Sequence, residues 1–206
     1  MAQDRRAHWQ TRYLTTAATD LSWYQPLPER SLEWIAASGV GRHAAILDVG
    51  GGASTLVDHL LGAGFTDVTV LDITAAAFAQ ARIRLGEAAP RVQWIEAAVT
   101  SWQPGRRYAV WHDRALLHFL VDPAERAEYV AVLQAALAPR GHVVIATFGP
   151  EGPTRCSGLD VRRYSADELS LLLGPRFCLV RSQVEEHITP AGRAQQFLYA
   201  WWRAEA

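Results

Sequence analysis

Several residue types are missing or scarce in this sequence, and each shortage excludes a class of protein. All 20 basic residues are arginine, so the chain has no lysine to act as a nucleophile or to form a Schiff base. Two cysteines, Cys156 and Cys178, are too few for a cysteine zinc cluster or a disulfide framework, which favours reduced thiols and a cytoplasmic protein. No apolar run approaches the roughly 18 residues of a membrane span, and the first ten residues contain no signal-peptide segment.

Net charge and chain length restrict the partners and the domain organisation that this protein can have. Twenty basic against 21 acidic residues leave a net charge of −1, which argues against a nucleic-acid partner held by bulk charge. A chain of 206 residues is about the length of one domain, and it can bury enough surface to fold without a metal. No spacing of carboxylates demands a metal, so we expect no metal site. The near-neutral charge permits either a monomer or a homodimer.

Strand-like apolar runs alternate with helical patterns from residue 44 onward, which predicts parallel βαβ units with helices on both faces of a sheet. The predicted strands are 44–48, 67–72, 92–97, 108–112, 142–148, 177–187 and 195–202. The last two strands flank a short turn with Pro190 and Gly192, so we expect an antiparallel pair there. We treat 1–206 as a single domain, with an aromatic N-terminal segment over 1–40 and the α/β core over 41–206.

The most informative stretch is a glycine-rich turn between a strand and a helix. The strand carries Asp48, and Gly50, Gly51 and Gly52 form the turn, where the backbone can approach a ligand closely. Asp72 ends the next strand, at a spacing that suits a carboxylate gripping ribose hydroxyls. A dinucleotide would require a third glycine where Thr55 stands, and Asp48 would face its phosphates. A cationic ligand, S-adenosylmethionine, fits the acidic strand better, and a purely structural turn is the remaining alternative.

Three segments resemble the motifs of the class I S-adenosylmethionine-dependent methyltransferases: LDVGGGAS, VLDIT and LAPRGHVVIATF. The resemblance implies a Rossmann-like, mostly parallel α/β sheet of seven strands in the order 3-2-1-4-5-7-6, with strand 7 antiparallel. It also implies that Asp72 holds the ribose of the cofactor and that Ile73 stacks on the adenine. The sequence departs from the family where Ser54 and Arg140 replace glycines of the motifs.

A further departure concerns the adenine amine. The family often places an acidic residue after the third strand, whereas this chain has Ala98 at that position. The resemblance then implies that backbone groups of Ala97, Ala98 and Val99 hold the adenine, or that Glu96 is displaced into the role. We expect weaker or backbone-only recognition of adenine.

The segment after the fourth strand, WHDRALLH, is the candidate for chemistry, because that strand end lies near the transferable methyl group in this fold. His112 is a candidate base and a candidate cofactor contact. Asp113 is expected to orient His112 or the substrate, and Arg114 to bind an anion of the substrate or the cofactor carboxylate. The alternative is that these three residues form a helix cap with an exposed ion pair.

The same segment resembles the thiopurine and tellurite-resistance methyltransferases, which act on sulfur, selenium or tellurium nucleophiles of small molecules. Those proteins also begin with an aromatic-x-x-x-aromatic segment, matched here by Trp9 and Tyr13. Together with Trp23 and Tyr24, these residues are expected to form a lid. Deleting residues 1–25 should then abolish cofactor binding and leave the fold intact. Two alternatives stay open: a protein-lysine methyltransferase, whose N-terminal segment is similar, and a non-catalytic cofactor-binding protein.

Overall fold

A computed structural model of the chain describes residues 2–206, with side chains described from Arg5 onward. Seven strands form one sheet in the order β3-β2-β1-β4-β5-β9-β8. Their bounds are Ile46–Val49 (β1), Val68–Asp72 (β2), Val92–Glu96 (β3), Tyr108–Arg114 (β4), Leu137–Phe148 (β5), Phe177–Ile188 (β8) and Ala194–Ala204 (β9). Strands β1 to β5 are parallel, and β9 runs antiparallel to both β5 and β8. Two short strands, Arg155–Cys156 (β6) and Leu159–Asp160 (β7), form a separate hairpin. Apart from the numbers that this hairpin takes, the strand order is the one the sequence predicts.

Helices cover both faces of the sheet. They are Ala2–Thr15 (α1), Glu29–Ala37 (α2), Leu56–Gly62 (α3), Ala76–Leu85 (α4), Pro123–Ala136 (α5) and Ala166–Leu173 (α6). One apolar cluster contains residues of α1 to α4 and the other residues of α5 and α6. Successive residues of a strand point to opposite faces, so Val70 enters the first cluster and Leu71 the second. None of the described helices is long and apolar enough to cross a membrane.

The N-terminal segment contributes side chains to the hydrophobic core, in addition to its expected role as a lid. Trp9 and Tyr13 are about nine-tenths buried and belong to the first apolar cluster. Gln80 of α4 fastens the end of α1, because its amide nitrogen donates to the Tyr13 carbonyl at 3.1 Å and its oxygen accepts from the Ala18 backbone at 2.6 Å. Deletion of residues 1–25 would remove packed core, which argues against the expectation that it leaves the fold intact.

Candidate active site

Two adjoining cavities lie at the edge of the sheet where β1, β2 and β4 end, the usual ligand position in open α/β sheets. They contain about 690 and 500 Å³ of empty space, including space open to solvent. Trp23, Gly50 and Arg114 line both cavities. The two cavities therefore form the two halves of one cleft.

The glycine turn after β1 leaves the cleft open. Gly50 and Gly52 have φ angles of +67° and +47°, a region where glycine is favoured over residues with a side chain. A Cβ at Gly50 would lie 2.6 Å from the Leu116 side chain, and one at Gly52 would lie 2.5 Å from the Tyr13 hydroxyl. A side chain at either position would collide with Leu116 or Tyr13, so the turn depends on glycine, and its Gly50 and Gly51 line the cleft.

The first cavity gathers the residues expected around an adenosine. Asp72 ends β2 and Ile73 follows it, the segment 97–99 follows β3, and all of these residues line the first cavity. Burial raises the pKa of Asp72 to about 7, and the nearby Asp48 carboxylate adds to the rise, although backbone N–H groups oppose it. The Tyr13 pKa is also raised, first by burial and then by Asp72 and Asp48. The cavity thus presents a buried carboxyl group that gains from ligand hydroxyls able to donate to it.

The second cavity contains Asp48 and His112 on neighbouring strands, at paired positions of β1 and β4. The Nδ1 atom of His112 lies 2.7 Å from Asp48 Oδ1, and its Nε2 atom lies 2.8 Å from Ser31 Oγ. Asp48 Oδ2 is buried and has no hydrogen-bond partner among the described residues. A buried carboxylate oxygen without a donor is costly, so this atom is suited to accept from the ammonium group of a cofactor such as S-adenosylmethionine.

Arg114 stands at the junction of the two cavities. Its Nε atom donates to the Tyr199 hydroxyl at 2.9 Å, and its Nη1 atom donates to the Trp23 carbonyl at 2.6 Å. The guanidinium also lies over the Phe197 ring, 4.6 Å from the centroid. Nη2 is buried and unpartnered within the described part of the chain. A fixed guanidinium with one free donor is arranged to bind an anionic group.

Asp113 does not face the cleft, and the expectation that it lies at the reacting centre is wrong. Alternation along β4 turns it away from the side occupied by His112 and Arg114. Its carboxylate accepts from the Tyr129 hydroxyl at 2.7 Å and from the Leu116 N–H at 3.0 Å. Burial raises its pKa to about 6. Asp113 therefore caps the turn after β4, as the capping alternative proposed, although it is buried and has no exposed ion pair.

Aromatic side chains from the N-terminal segment close the cleft. Trp9 packs edge-on against Phe119 and Trp23, with ring centroids 4.9 and 5.7 Å apart. Trp9, Tyr13 and Trp23 line the first cavity, and Trp23 and Tyr24 line the second. Every predicted site residue except Gly52 and Asp113 thus lines one of the two cavities. The structure adds Ser31, which no motif of the sequence marks.

Comparison with known proteins supports this description. The methyltransferase-domain family matches residues 46–141. A structure from a study of the conversion of a disulfide bond into a thioacetal group during echinomycin biosynthesis superposes with a TM-score of 0.74, at 18% identity over 100% of this chain and 93% of that one. The 1,6-didemethyltoxoflavin N1-methyltransferase of Burkholderia thailandensis gives 0.71 at 23% identity, over 100% and 91%. The N-methyltransferase NodS of Bradyrhizobium japonicum gives 0.73 at 16%, over 98% and 99%. No curated protein matches the chain in sequence.

The matched segment contains the glycine turn, Asp72 and the residues of β4, which are the elements that build the cleft. The two N-methyltransferase structures were determined with S-adenosylhomocysteine, the demethylated form of the cofactor. Residues 46–141 thus match the methyltransferase-domain family, and the whole chain has the fold of these methyltransferase structures, the fold that the resemblance implies.

Proposed function

We propose that the protein transfers the methyl group of S-adenosylmethionine to an anionic or readily ionised small molecule, with a thiol or another chalcogen as the favoured nucleophile. The observation that carries this proposal is the free Nη2 donor of Arg114 at the junction of the two cavities. A thiolate carries negative charge and needs little help from a base near neutral pH. The fixed positive charge of Arg114 stabilises such a nucleophile and repels a protonated amine.

The remaining residues bind the cofactor and exclude water. Asp72 would accept from the ribose hydroxyls, Ile73 and the backbone of 97–99 would contact the adenine, and Asp48 Oδ2 would accept from the ammonium group. When bound, S-adenosylmethionine supplies an electrophilic methyl group on its sulfonium. Trp9, Tyr13, Trp23 and Tyr24 cover the cleft, so that nucleophile and methyl group are held in line without competing water.

His112 is placed better for binding than for proton transfer. Both of its ring nitrogens are within hydrogen-bond distance of protein groups, Asp48 and Ser31, and the side chain is 2% exposed. A general base must reach the proton that it removes. We therefore propose that His112 holds Asp48 in place at the cofactor site. The acceptor then binds in its ionised form and needs no general base.

A protein-lysine methyltransferase is the second candidate, since its N-terminal segment would resemble this one. Arg114 disfavours it, because a lysine ammonium would approach a fixed positive charge. Labelled S-adenosylmethionine distinguishes the candidates. Incubation with thiols, selenite and tellurite should yield a labelled small product, whereas a labelled protein band in a cell lysate would establish the lysine reading. Cofactor binding without any labelled product would favour the non-catalytic alternative.

A further inference from the structure

We propose that Ser31 is a positioning residue for cofactor binding, acting through His112 on Asp48. This inference rests on the proposed use of S-adenosylmethionine and names a residue that lies outside the motifs of the sequence. The serine lies on α2, in the N-terminal segment, 81 positions from His112. Its hydroxyl therefore connects helix α2 of the N-terminal segment, through His112, to the Asp48 carboxylate that lines the cleft.

The three side chains form a continuous buried chain of hydrogen bonds. Ser31 is fully buried, and Asp48 and His112 are each 2% exposed. The distances are 2.8 Å from Ser31 Oγ to His112 Nε2 and 2.7 Å from His112 Nδ1 to Asp48 Oδ1. Asp48 Oδ2, the other oxygen, remains without a partner among the described residues. All three residues line the second cavity.

With a neutral His112 ring, the donors and acceptors of these three hydrogen-bonded side chains are assigned in one direction. A carboxylate only accepts, so His112 Nδ1 carries the hydrogen and donates it to Asp48 Oδ1. In the neutral ring Nε2 is then an acceptor, and the hydroxyl of Ser31 donates to it. This arrangement fixes the rotation of the Asp48 carboxylate. Oδ1 is occupied and Oδ2 is held towards the glycine turn, where the ammonium group of the cofactor would lie.

The same connectivity occurs in the catalytic triads of serine hydrolases, but burial argues against that use here. A nucleophilic serine must present its oxygen to an external carbonyl, and Ser31 has no exposed surface. Its hydroxyl is also committed to Nε2 of His112. The chain of hydrogen bonds therefore orients a binding group and does not attack a substrate.

The affinities for three ligands distinguish a positioning role of Ser31 from a direct contact with the cofactor and from general damage to the cleft. S-adenosylhomocysteine has both the ammonium and the carboxylate, its analogue without the α-amino group retains the carboxylate, and methylthioadenosine has neither. Calorimetric titrations would compare wild type with Ser31→Ala, with Ser31→Thr, which restores a hydroxyl, and with Ser38→Ala. Ser38 is a matched control, because it lies at the end of the same helix and its hydroxyl donates to the Ile35 carbonyl.

We expect Ser31→Ala to weaken S-adenosylhomocysteine by about tenfold and to leave both other ligands within twofold of wild type. Ser31→Thr should recover most of the loss, and Ser38→Ala should change none of the three affinities. Weakening of all three ligands would indicate general damage to the cleft. Weakening of the two carboxylate-bearing ligands alone would indicate a direct contact with the cofactor carboxylate. Either result overturns the proposal, as does an unchanged affinity for S-adenosylhomocysteine.

Two further readouts keep the test decisive. If the alanine variant does not fold, a long-range ¹H–¹⁵N spectrum of the wild type at pH 8 still reports the ring of His112. We expect the hydrogen on Nδ1. A hydrogen on Nε2 would contradict the proposed hydrogen bonds from Ser31 to His112 and from His112 to Asp48. Labelling of Ser31 by a fluorophosphonate would establish the hydrolase reading instead. A folded wild type that binds none of the three ligands would refute the proposed cofactor itself, which is a separate outcome.

Discussion

Affinity for the adenosine part of the cofactor should depend on pH through Asp72. The buried carboxyl group has a pKa of about 7 in the free protein, so about one tenth of the molecules carry its charge at pH 6 and about nine tenths at pH 8. Ribose hydroxyls donate best to the charged form. The dissociation constant of methylthioadenosine should therefore fall by nearly tenfold between pH 6 and pH 8, which is about 1.4 kcal/mol.

Methylthioadenosine is the right ligand for this experiment because it has no amino or carboxyl group that could titrate with the protein. The titratable groups that contribute to the Asp72 shift or interact with Asp72 are Asp48 and the Tyr13 hydroxyl, which is neutral at these pH values. Isothermal titration at half-unit steps of pH would give the curve. The variant Asp72→Asn, which has no carboxyl group to ionise, should bind weakly and with a flat pH dependence. A wild-type curve as flat as that of the variant would refute the assignment of Asp72 to the ribose.

The raised pKa of Asp72 also affects stability. Because the folded-state pKa lies above the usual value of 3.8, the native protein retains a proton that the unfolded chain releases between about pH 4 and pH 7. This contribution to stability is full below that window and is lost as the pH rises through it. Asp72→Asn should therefore raise the melting temperature of the ligand-free protein at pH 8 and reduce its stabilisation by S-adenosylhomocysteine.

Three other substitutions give distinct outcomes. Asp113→Asn removes one buried hydrogen-bond acceptor, so urea unfolding should show a loss of about 1–3 kcal/mol in the free energy of unfolding. The affinity for S-adenosylhomocysteine should stay within twofold of wild type. A large loss of affinity would instead place Asp113 in the cofactor site. Arg114→Met should lower kcat/KM for the anionic acceptor by about 100-fold and change the cofactor affinity by less than threefold. Equal losses in kcat/KM and in cofactor affinity would indicate that Arg114 binds the cofactor instead. Gly52→Ala places a Cβ 2.5 Å from the Tyr13 hydroxyl, so binding should weaken at least tenfold, whereas Gly62→Ala, with nothing within 4 Å of the added Cβ, should bind normally.

Much of the fold could be predicted because the apolar periods and the glycine turn are local signals. The strand order follows from βαβ alternation together with the resemblance, and the closing antiparallel pair follows from the short turn before β9. Helix α1 has only a weak sequence signal, because most of its residues are polar. The spacing of Trp9 and Tyr13, four positions apart, places both on one helical face and is a signal that indicates the helix.

The site was harder to predict where it depends on direction or on distant contacts. Asp113 was grouped with its two neighbours because all three follow one another, yet strand alternation sends it to the opposite face. Ser31 has no local signal at all. Its role arises only when α2 packs beside β4, and a single sequence contains no measure of that distance.

The central claim is that the cleft binds S-adenosylmethionine through Asp72 and the residues around it. Calorimetric titration of S-adenosylmethionine and S-adenosylhomocysteine into wild type and Asp72→Ala tests this claim most directly. We predict one site with micromolar affinity for both ligands in the wild type, and loss of that binding in a variant that remains folded. A folded wild type that binds neither ligand would contradict the claim.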